Sequence, residues 1–166
     1  VNGTLFFDSG DIGYEELWKS DGTEAGTVRI MSGSSIYDLT NVNGTLFFDT
    51  NDGIHGYELW KSDGTETGTV MVKDIYPGPS GSSPQFLTNV NGTLFFWAYD
   101  TNGAELWKSN GTDTGTIIVK DIWPGPFPYY LTNVNGTLFF AAYDGTNEGL
   151  WKSDGTDVST VMVKDI

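Results

Sequence analysis

Hydrophobic and polar residues alternate along this chain at the short period of β-strands, in brief runs that Gly, Asn, Asp and Pro interrupt. The best-defined stretch contains two such interruptions, Asn91-Gly92 and Asn110-Gly111. An Asn-Gly pair between two apolar runs is the strongest short signal for a β-hairpin. The pattern therefore predicts an all-strand unit of four antiparallel strands, at residues 86–90, 93–100, 105–109 and 116–122.

This unit is one of four copies. The hexapeptide Asn-Gly-Thr-Leu-Phe-Phe begins at Asn2, Asn43, Asn91 and Asn135, at periods of 41, 48 and 44 residues. Such a period is typical of a propeller blade. We therefore predict an all-β, β-propeller-like array of four repeats, with about four antiparallel strands per blade, in a single repeat domain of residues 1–166. The repeats are placed at residues 1–35, 36–82, 83–126 and 127–166.

The second strand of each copy predicts packing between neighbouring blades. Residues 94–99 read Leu-Phe-Phe-Trp-Ala-Tyr and are apolar on both faces of the pleat, so both faces need to be covered. The first copy begins at its hairpin turn, so it supplies one strand fewer than the others. Three interpretations stay open: a fragment of a longer ring, a four-bladed ring with one three-stranded blade, or an assembly whose chains complete each other.

A longer motif follows the hexapeptide and carries a family resemblance. Glu-Leu-Trp-Lys-Ser-Asp/Asn-Gly-Thr is intact at residues 16–23, 58–65 and 105–112, whereas the fourth copy has Gly149 in place of Glu. This octapeptide resembles the ELWxxDGT repeat proteins, and the resemblance covers nearly the whole chain. It implies a bacterial protein, extracellular or at the cell surface, with propeller-like repeats and no established catalytic activity. A role that needs the Glu is in doubt in the fourth copy.

The composition excludes several classes of function. Among 166 residues, 22 acidic groups oppose 8 basic ones, and the net charge of −14 has the wrong sign for nucleic acid or an anionic membrane surface. No apolar run approaches the roughly 20 residues that span a bilayer, so membrane insertion is not expected. The absence of Cys removes thiol catalysis and Cys-ligated metals. The chain opens directly on Val-Asn-Gly-Thr, so we expect a mature or excised piece of a longer protein.

Tryptophans are the first candidates for ligand binding. One follows the motif Leu in every copy, and aromatic faces suit pyranose rings, so a sugar platform with one site per blade is one interpretation. The alternative is core packing between blades, because large aromatic side chains dominate core energetics. Trp123, beside Pro124, occurs in one copy and is the better candidate for an exposed aromatic. The candidate residues are Trp18, Trp60, Trp107, Trp151 and Trp123.

Acidic loops are the second candidates. Oxygen-rich loops that contain Gly suit Ca²⁺, which takes six to eight oxygen ligands. The spacing departs from the known calcium-loop motif, and Asp or Asn before Gly also serves ordinary turns by hydrogen-bonding to its own backbone. No other cofactor is expected. The candidate calcium ligands are Asp49, Asp52, Glu58, Asp100 and Glu105.

The chain offers little for catalysis. Its single histidine, His55, lies in a loop of one copy, and no nucleophile elbow, P-loop or metal-binding His pair is present. The lysines that follow the tryptophans are interpreted as structural. We therefore predict that the chain is not an enzyme but an extracellular structural or adhesive repeat protein that self-assembles into rings or filaments through an open strand edge. The alternative is a glycan-binding module with one site per blade.

Overall fold

Fifteen strands and the turns between them account for the chain in the computed structural model, which describes residues 1–11, 14–33, 35–122 and 128–166. Within those residues, no helix is long and apolar enough to cross a membrane. The strands of the first half are β1 (Leu5–Asp11), β2 (Tyr14–Ser20), β3 (Val28–Gly33), β4 (Ile36–Val42), β5 (Thr45–Asn51), β6 (Tyr57–Ser62) and β7 (Val70–Lys73). The others are β8 (Gln85–Val90), β9 (Thr93–Tyr99), β10 (Ala104–Ser109), β11 (Ile117–Lys120), β12 (Tyr129–Val134), β13 (Thr137–Tyr143), β14 (Glu148–Ser153) and β15 (Val161–Asp165).

The strands form four antiparallel sheets, which we call blades 1 to 4 in chain order. Blade 1 has the three strands β1 to β3, and each of the others has four consecutive strands. Tight turns join the strands because Asn and Gly accept a left-handed backbone: at the first hairpin of blade 3, φ is 50° at Asn91 and 82° at Gly92. The predicted all-β class, the propeller-like repeat and the three-stranded first copy are confirmed.

By its contacts the chain divides into two compact units, Val1–Ser83 with blades 1 and 2, and Pro84–Ile166 with blades 3 and 4. The core of the first unit contains Leu17, Leu46 and Phe48. The core of the second contains Phe95, Leu106, Leu138, Phe140 and Trp151, among others. The repeat boundaries stay a prediction, and the one between residues 126 and 127 lies outside the described residues.

The second strands of blades 2 and 3, β5 and β9, are buried on both faces, as the sequence predicts, whereas β13 of blade 4 buries one face and half-buries the other. In β9, every side chain from Leu94 to Ala98 is 3% exposed or less. The equivalent Phe48 and Phe140 of blades 2 and 4 are also buried. A strand with two apolar faces is stable only when layers cover both of them, and within each unit a neighbouring blade covers one.

A bulge in the first strand of three blades has an unusual backbone. The register of the first strand shifts at this point in blades 2, 3 and 4. The residue in the bulge has a left-handed φ of 58° at Asp38, 56° at Phe86 and 56° at Tyr130. Such a φ is costly for a bulky side chain, so the bulge at Phe86 and Tyr130 is a strained position that repeats with the fold.

Candidate functional site

The Asp-Gly-Thr part of the motif forms a self-contained turn. In blade 2, Asp63 Oδ1 accepts hydrogen bonds from the Thr65 amide at 2.8 Å and from the Thr65 hydroxyl at 2.7 Å. The Ser62 and Thr69 hydroxyls, at either end of the turn, lie 2.7 Å apart. The same bonds recur around Asp21, Asn110 and Asp154. These bonds lower the pKa of the Asp63 carboxyl because they favour its charged form.

The motif tryptophans lie largely inside the blades. Trp107 and Trp151 are buried, and Trp151 stacks on Phe140 while its indole N–H donates to the Ala142 carbonyl at 3.2 Å. Neither ring leaves a free face for a sugar, which agrees with the packing alternative. Trp60 is half-buried against the core of the first unit.

Trp18 makes a different set of contacts. Trp18 is half-buried, and its indole N–H donates to Glu16 Oε2 at 3.1 Å, while Arg29 binds the other oxygen of Glu16 at 2.7 Å. Trp123 lies outside the described residues. The sugar platform therefore stays a prediction for Trp18, Trp60 and Trp123.

The motif glutamate of blade 2 has a role that the sequence did not indicate. Glu58 is fully buried, and its carboxylate accepts hydrogen bonds from the amides of Ile75, Tyr76 and Ser82 at 3.0 to 3.1 Å. The Ser82 hydroxyl donates a fourth bond at 2.5 Å. Burial raises the pKa of Glu58, and these bonds oppose that effect. The carboxylate thus fixes the connection between blades 2 and 3 where it leaves β7.

Glu105, the counterpart of Glu58 in blade 3, differs from it in its hydrogen bonding. Glu105 is equally buried, but neither of its carboxylate oxygens makes a hydrogen bond of normal geometry to the described residues. Burial, with repulsion from Asp121, raises its pKa to about 7. The connection after β11 is shorter, and its residues 121–128 include no Ser. Asp49, in the middle strand of blade 2, is also buried, and desolvation raises its pKa to about 8.

The remaining acidic candidates serve turns. Asp52 Oδ1 accepts the amides of Ile54 and His55 at 2.8 Å, and its other oxygen lies 2.6 Å from His55 Nδ1, which raises the pKa of the imidazole. Asp100 accepts the Asn102 amide at 2.7 Å. Across the described ranges, no three His, Asp or Glu side chains cluster as a metal site. Calcium binding stays a prediction, and the melting temperature with and without EGTA tests it.

The motif lysine joins one blade to the next. Lys19 Nζ donates to the Gly64 carbonyl of blade 2 at 2.6 Å, and Lys108 Nζ donates to the Gly155 carbonyl of blade 4 at 2.7 Å. The acceptor in both cases is the Gly of the next Asp-Gly-Thr turn. Sequence reasoning assigned these lysines to structure but did not find their partners.

An aromatic ring closes over the same glycine. A Cβ added to Gly64 would lie 3.2 Å from the ring of Phe6, and one added to Gly155 would lie 2.9 Å from the ring of Phe95. The next Asn-Gly turn is also engaged, because Asn91 Nδ2 donates to the Gly136 carbonyl at 3.1 Å. We call the Asn, Phe and Lys of one blade the leading set, the two Gly of the next blade the receiving set, and their contact the blade clasp.

Comparison with known proteins gives one kind of match. No protein-family model matches the chain, and no curated protein matches its sequence. A solved prolyl endopeptidase is similar to it, with 14% identity and a TM-score of 0.65, over 98% of this chain and 25% of the other. The acylaminoacyl peptidase of Pyrococcus horikoshii is similar at 11% identity and a TM-score of 0.65, over the same shares. An α-L-arabinofuranosidase from Clostridium thermocellum matches at 12% identity and a TM-score of 0.42, over 100% of this chain and 70% of the other.

These matches correct one expectation. The prediction that the chain is not an enzyme is wrong as a conclusion from its fold, because the two peptidases that resemble it are enzymes. The chain spans about a quarter of the length of the two peptidases. At such low identity the likeness shows the fold alone. The chain therefore has a β-propeller-like fold of four repeated blades.

Proposed function

We propose that this chain is a structural and adhesive propeller module of a bacterial cell surface, of the ELWxxDGT repeat type, which associates with further copies of itself. One observation carries the proposal: the side chains that recur from copy to copy take part in turns and in contacts between blades. Asp63 and Thr65 form a turn, and Lys19 joins two blades. The extracellular location and the bacterial source rest on the resemblance of the repeated octapeptide.

The mass of the native particle tests this function. Size-exclusion chromatography with light scattering, followed by negative-stain imaging, should show rings or filaments at micromolar concentration. A glycan array should give no binding under the same conditions. A monodisperse monomer at every concentration, with micromolar affinity for a sugar, would contradict the proposal.

A second candidate, glycan binding, is favoured by the exposed aromatics of the first-strand bulge. Tyr130 is 72% exposed and Phe86 is 37% exposed, both in the strained left-handed backbone. Their strands β8 and β12 are neighbours, because Thr88 Oγ1 donates to the Leu131 carbonyl at 3.1 Å. Tyr129 lies edge-on to Tyr130 with ring centroids 5.0 Å apart. Exposed aromatic rings offer flat apolar faces to a sugar ring, and strained backbone positions cluster at ligand-binding sites.

Substitution at the bulge separates this candidate from the first. Tyr130→Ala should abolish binding to any glycan that the array identifies, as followed by isothermal titration. The matched control is Tyr14→Ala, which removes another exposed tyrosine in the other unit and should leave the affinity unchanged. Equal affinity in wild type and Tyr130→Ala would exclude the bulge as the site.

A further inference from the structure

Blade 4 carries a leading set that contacts no receiving set among the described residues. Asn135, Phe139 and Lys152 occupy the positions that Asn91, Phe95 and Lys108 hold in blade 3. Lys108 is half-buried by its bond to the next blade, whereas Lys152 is exposed and has no partner among the described residues. Asn135 is exposed as well. The donors of a blade clasp are therefore in place and unused.

Blade 1 presents the matching receiving set. Gly22 and Gly3 are exposed, and a Cβ added to either would meet nothing within 4 Å, unlike one added to Gly155. The receiving turn is already formed, because Asp21 Oδ1 accepts the Thr23 amide at 2.9 Å and its hydroxyl at 2.7 Å. The Gly22 carbonyl can thus accept a bond without any rearrangement of the turn.

The first strand of blade 1, β1, which is equivalent to β5 and β13, leaves an apolar side chain exposed. Side chains alternate along a strand, so Leu5 faces away from Phe6, whose ring points to blade 2. Leu5 is 61% exposed, whereas its equivalents Leu46 and Leu138 are 3% and 0% exposed because a preceding blade covers them. Leu5 is therefore an apolar position that a blade packed on this face would cover, as the preceding blade covers Leu46.

We propose that blade 4 of one copy packs on blade 1 of a second copy through the blade clasp that the chain already uses within each unit. Lys152 Nζ donates to the Gly22 carbonyl of the second copy, the ring of Phe139 closes over Gly22, and Leu5 is covered. The contact joins different surfaces, so it is head-to-tail and generates rings or filaments. This inference rests on the proposed function and names the surfaces through which the copies associate.

Sedimentation equilibrium of single-site variants tests the contact. Lys152→Ala should weaken association roughly 10-fold or more, because a charged hydrogen bond and its packing are lost. The control Lys164→Ala removes the same charge from an exposed position on β15 outside the leading set and should change association less than about 2-fold. Leu5→Glu, at a site that is exposed in the single chain, should weaken association without changing the melting temperature of the monomer.

Each outcome of this experiment has one meaning. If wild type stays monomeric at all concentrations, both the proposed function and this inference are wrong. If wild type associates while Lys152→Ala and Leu5→Glu associate equally well, the copies meet through another surface, and only this inference is wrong.

Site-specific cross-linking provides an independent test, because the chain has no Cys. A mixture of Lys152→Cys and Thr23→Cys chains, treated with a short bis-maleimide, should give a cross-linked dimer that contains one chain of each kind. Replacing Lys152→Cys by Lys164→Cys should remove that product. Equal cross-linking from both positions, or none from either, would overturn the assignment.

Discussion

At the scale of single residues, the motif glutamate shows that the surroundings of a side chain determine how many hydrogen bonds it makes. Glu58 and Glu105 occupy the same place in the same octapeptide, and both are buried. Glu58 accepts four hydrogen bonds from the connection after β7. Glu105 makes none of normal geometry to the described residues. The same carboxylate therefore accepts four hydrogen bonds in one blade and, among the described residues, none of normal geometry in the next.

This contrast makes a prediction about two identical substitutions. Glu58→Gln should lower the free energy of unfolding by about 1–3 kcal/mol, because a side-chain amide N–H would face backbone donors that need an acceptor. Glu105→Gln should be neutral or stabilising at pH 8, because a neutral amide is cheaper to bury than a carboxylate. Urea denaturation of both variants measures the difference. Equal losses would show that the two glutamates have equivalent surroundings.

Sequence reasoning found these residues but not their chemistry. Glu58 and Asp52 stand out as oxygen-bearing residues near Gly, which suit either calcium ligation or an ordinary turn. Glu58 instead bonds to Ser82, which lies 24 residues further along the chain. Nothing in the local pattern indicates that distant partner, because the connection that holds Ser82 differs in length from blade to blade. Turn chemistry at Asp63, which depends on residues two positions away, could be predicted.

At the scale of elements, the hairpins follow the sequence closely. The predicted strands 86–90 and 93–100 are observed at Gln85–Val90 and Thr93–Tyr99, because Asn-Gly fixes the register locally. The blade clasp could not be predicted in this way. Lys19 and Gly64 are 45 residues apart in the chain. Their recurrence in every copy indicates a structural role, but it does not indicate that the lysine of one copy binds the glycine of the next.

Substitutions at two equivalent glycines, Gly22 and Gly155, measure how much the packing of the blade clasp contributes to stability. The values of φ are 91° at Gly22 and 95° at Gly155, so Ala introduces the same backbone strain at both. Only at Gly155 would the new Cβ also meet a ring, that of Phe95 at 2.9 Å. Gly155→Ala should therefore lower the free energy of unfolding by about 1–3 kcal/mol more than Gly22→Ala.

Thermal unfolding of dilute protein checks this difference, because dilution removes any contribution from contacts between copies. Equal destabilisation by Gly155→Ala and Gly22→Ala would mean that the ring of Phe95 moves aside without cost.

At the scale of the whole molecule, the acidic composition divides into two groups with opposite effects. Asp21, Asp63, Asp144 and Asp154 lie in exposed turns, and hydrogen bonds within those turns lower their pKa values. Asp49 and Glu105 are buried, and desolvation raises theirs. The first group stabilises the fold at pH values above the pKa of a carboxyl in the unfolded chain. The second group favours the fold while it is protonated, and this contribution is lost as the buried carboxyls ionise.

Stability should therefore decline from mildly acidic to mildly alkaline pH. Carboxyls in the unfolded chain lose their protons near pH 4, whereas Glu105 keeps its proton to about 7 and Asp49 to about 8. The folded state holds more protons in this window, so the free energy of unfolding falls as the pH rises through it. Each kcal/mol lost lowers the melting temperature by about 2–4 °C.

Calorimetry at pH 5, 6.5 and 8 measures this decline, and Asp49→Asn serves as the comparison because it removes the titration with the highest pKa. The variant should lose less stability than wild type between pH 6.5 and 8. A wild type whose melting temperature is flat or rising over this range would contradict the assignment of Asp49 and Glu105 as buried acids.

Added salt should strengthen association between copies, whereas it would weaken a contact that depends on ion pairs. Copies that each carry a charge of −14 repel one another, while Lys152 in the proposed contact binds a carbonyl and not a carboxylate. Raising NaCl from about 0.05 to 0.3 M shortens the screening length to a few ångströms and should strengthen association. Sedimentation at both salt concentrations checks this, and weaker association at high salt would indicate that cross-copy ion pairs dominate.

The acceptor of the blade clasp is a backbone carbonyl, and this has a consequence for how such a chain changes in length over generations. Lys19 and Lys108 need only a Gly in a standard turn on the adjoining copy, with no particular side chain there. A duplicated or deleted copy would therefore find a compatible neighbour on both sides at once. Unequal recombination between copies of the gene segment should yield foldable products without compensating substitutions, so the repeat number is free to drift while the junction chemistry stays the same.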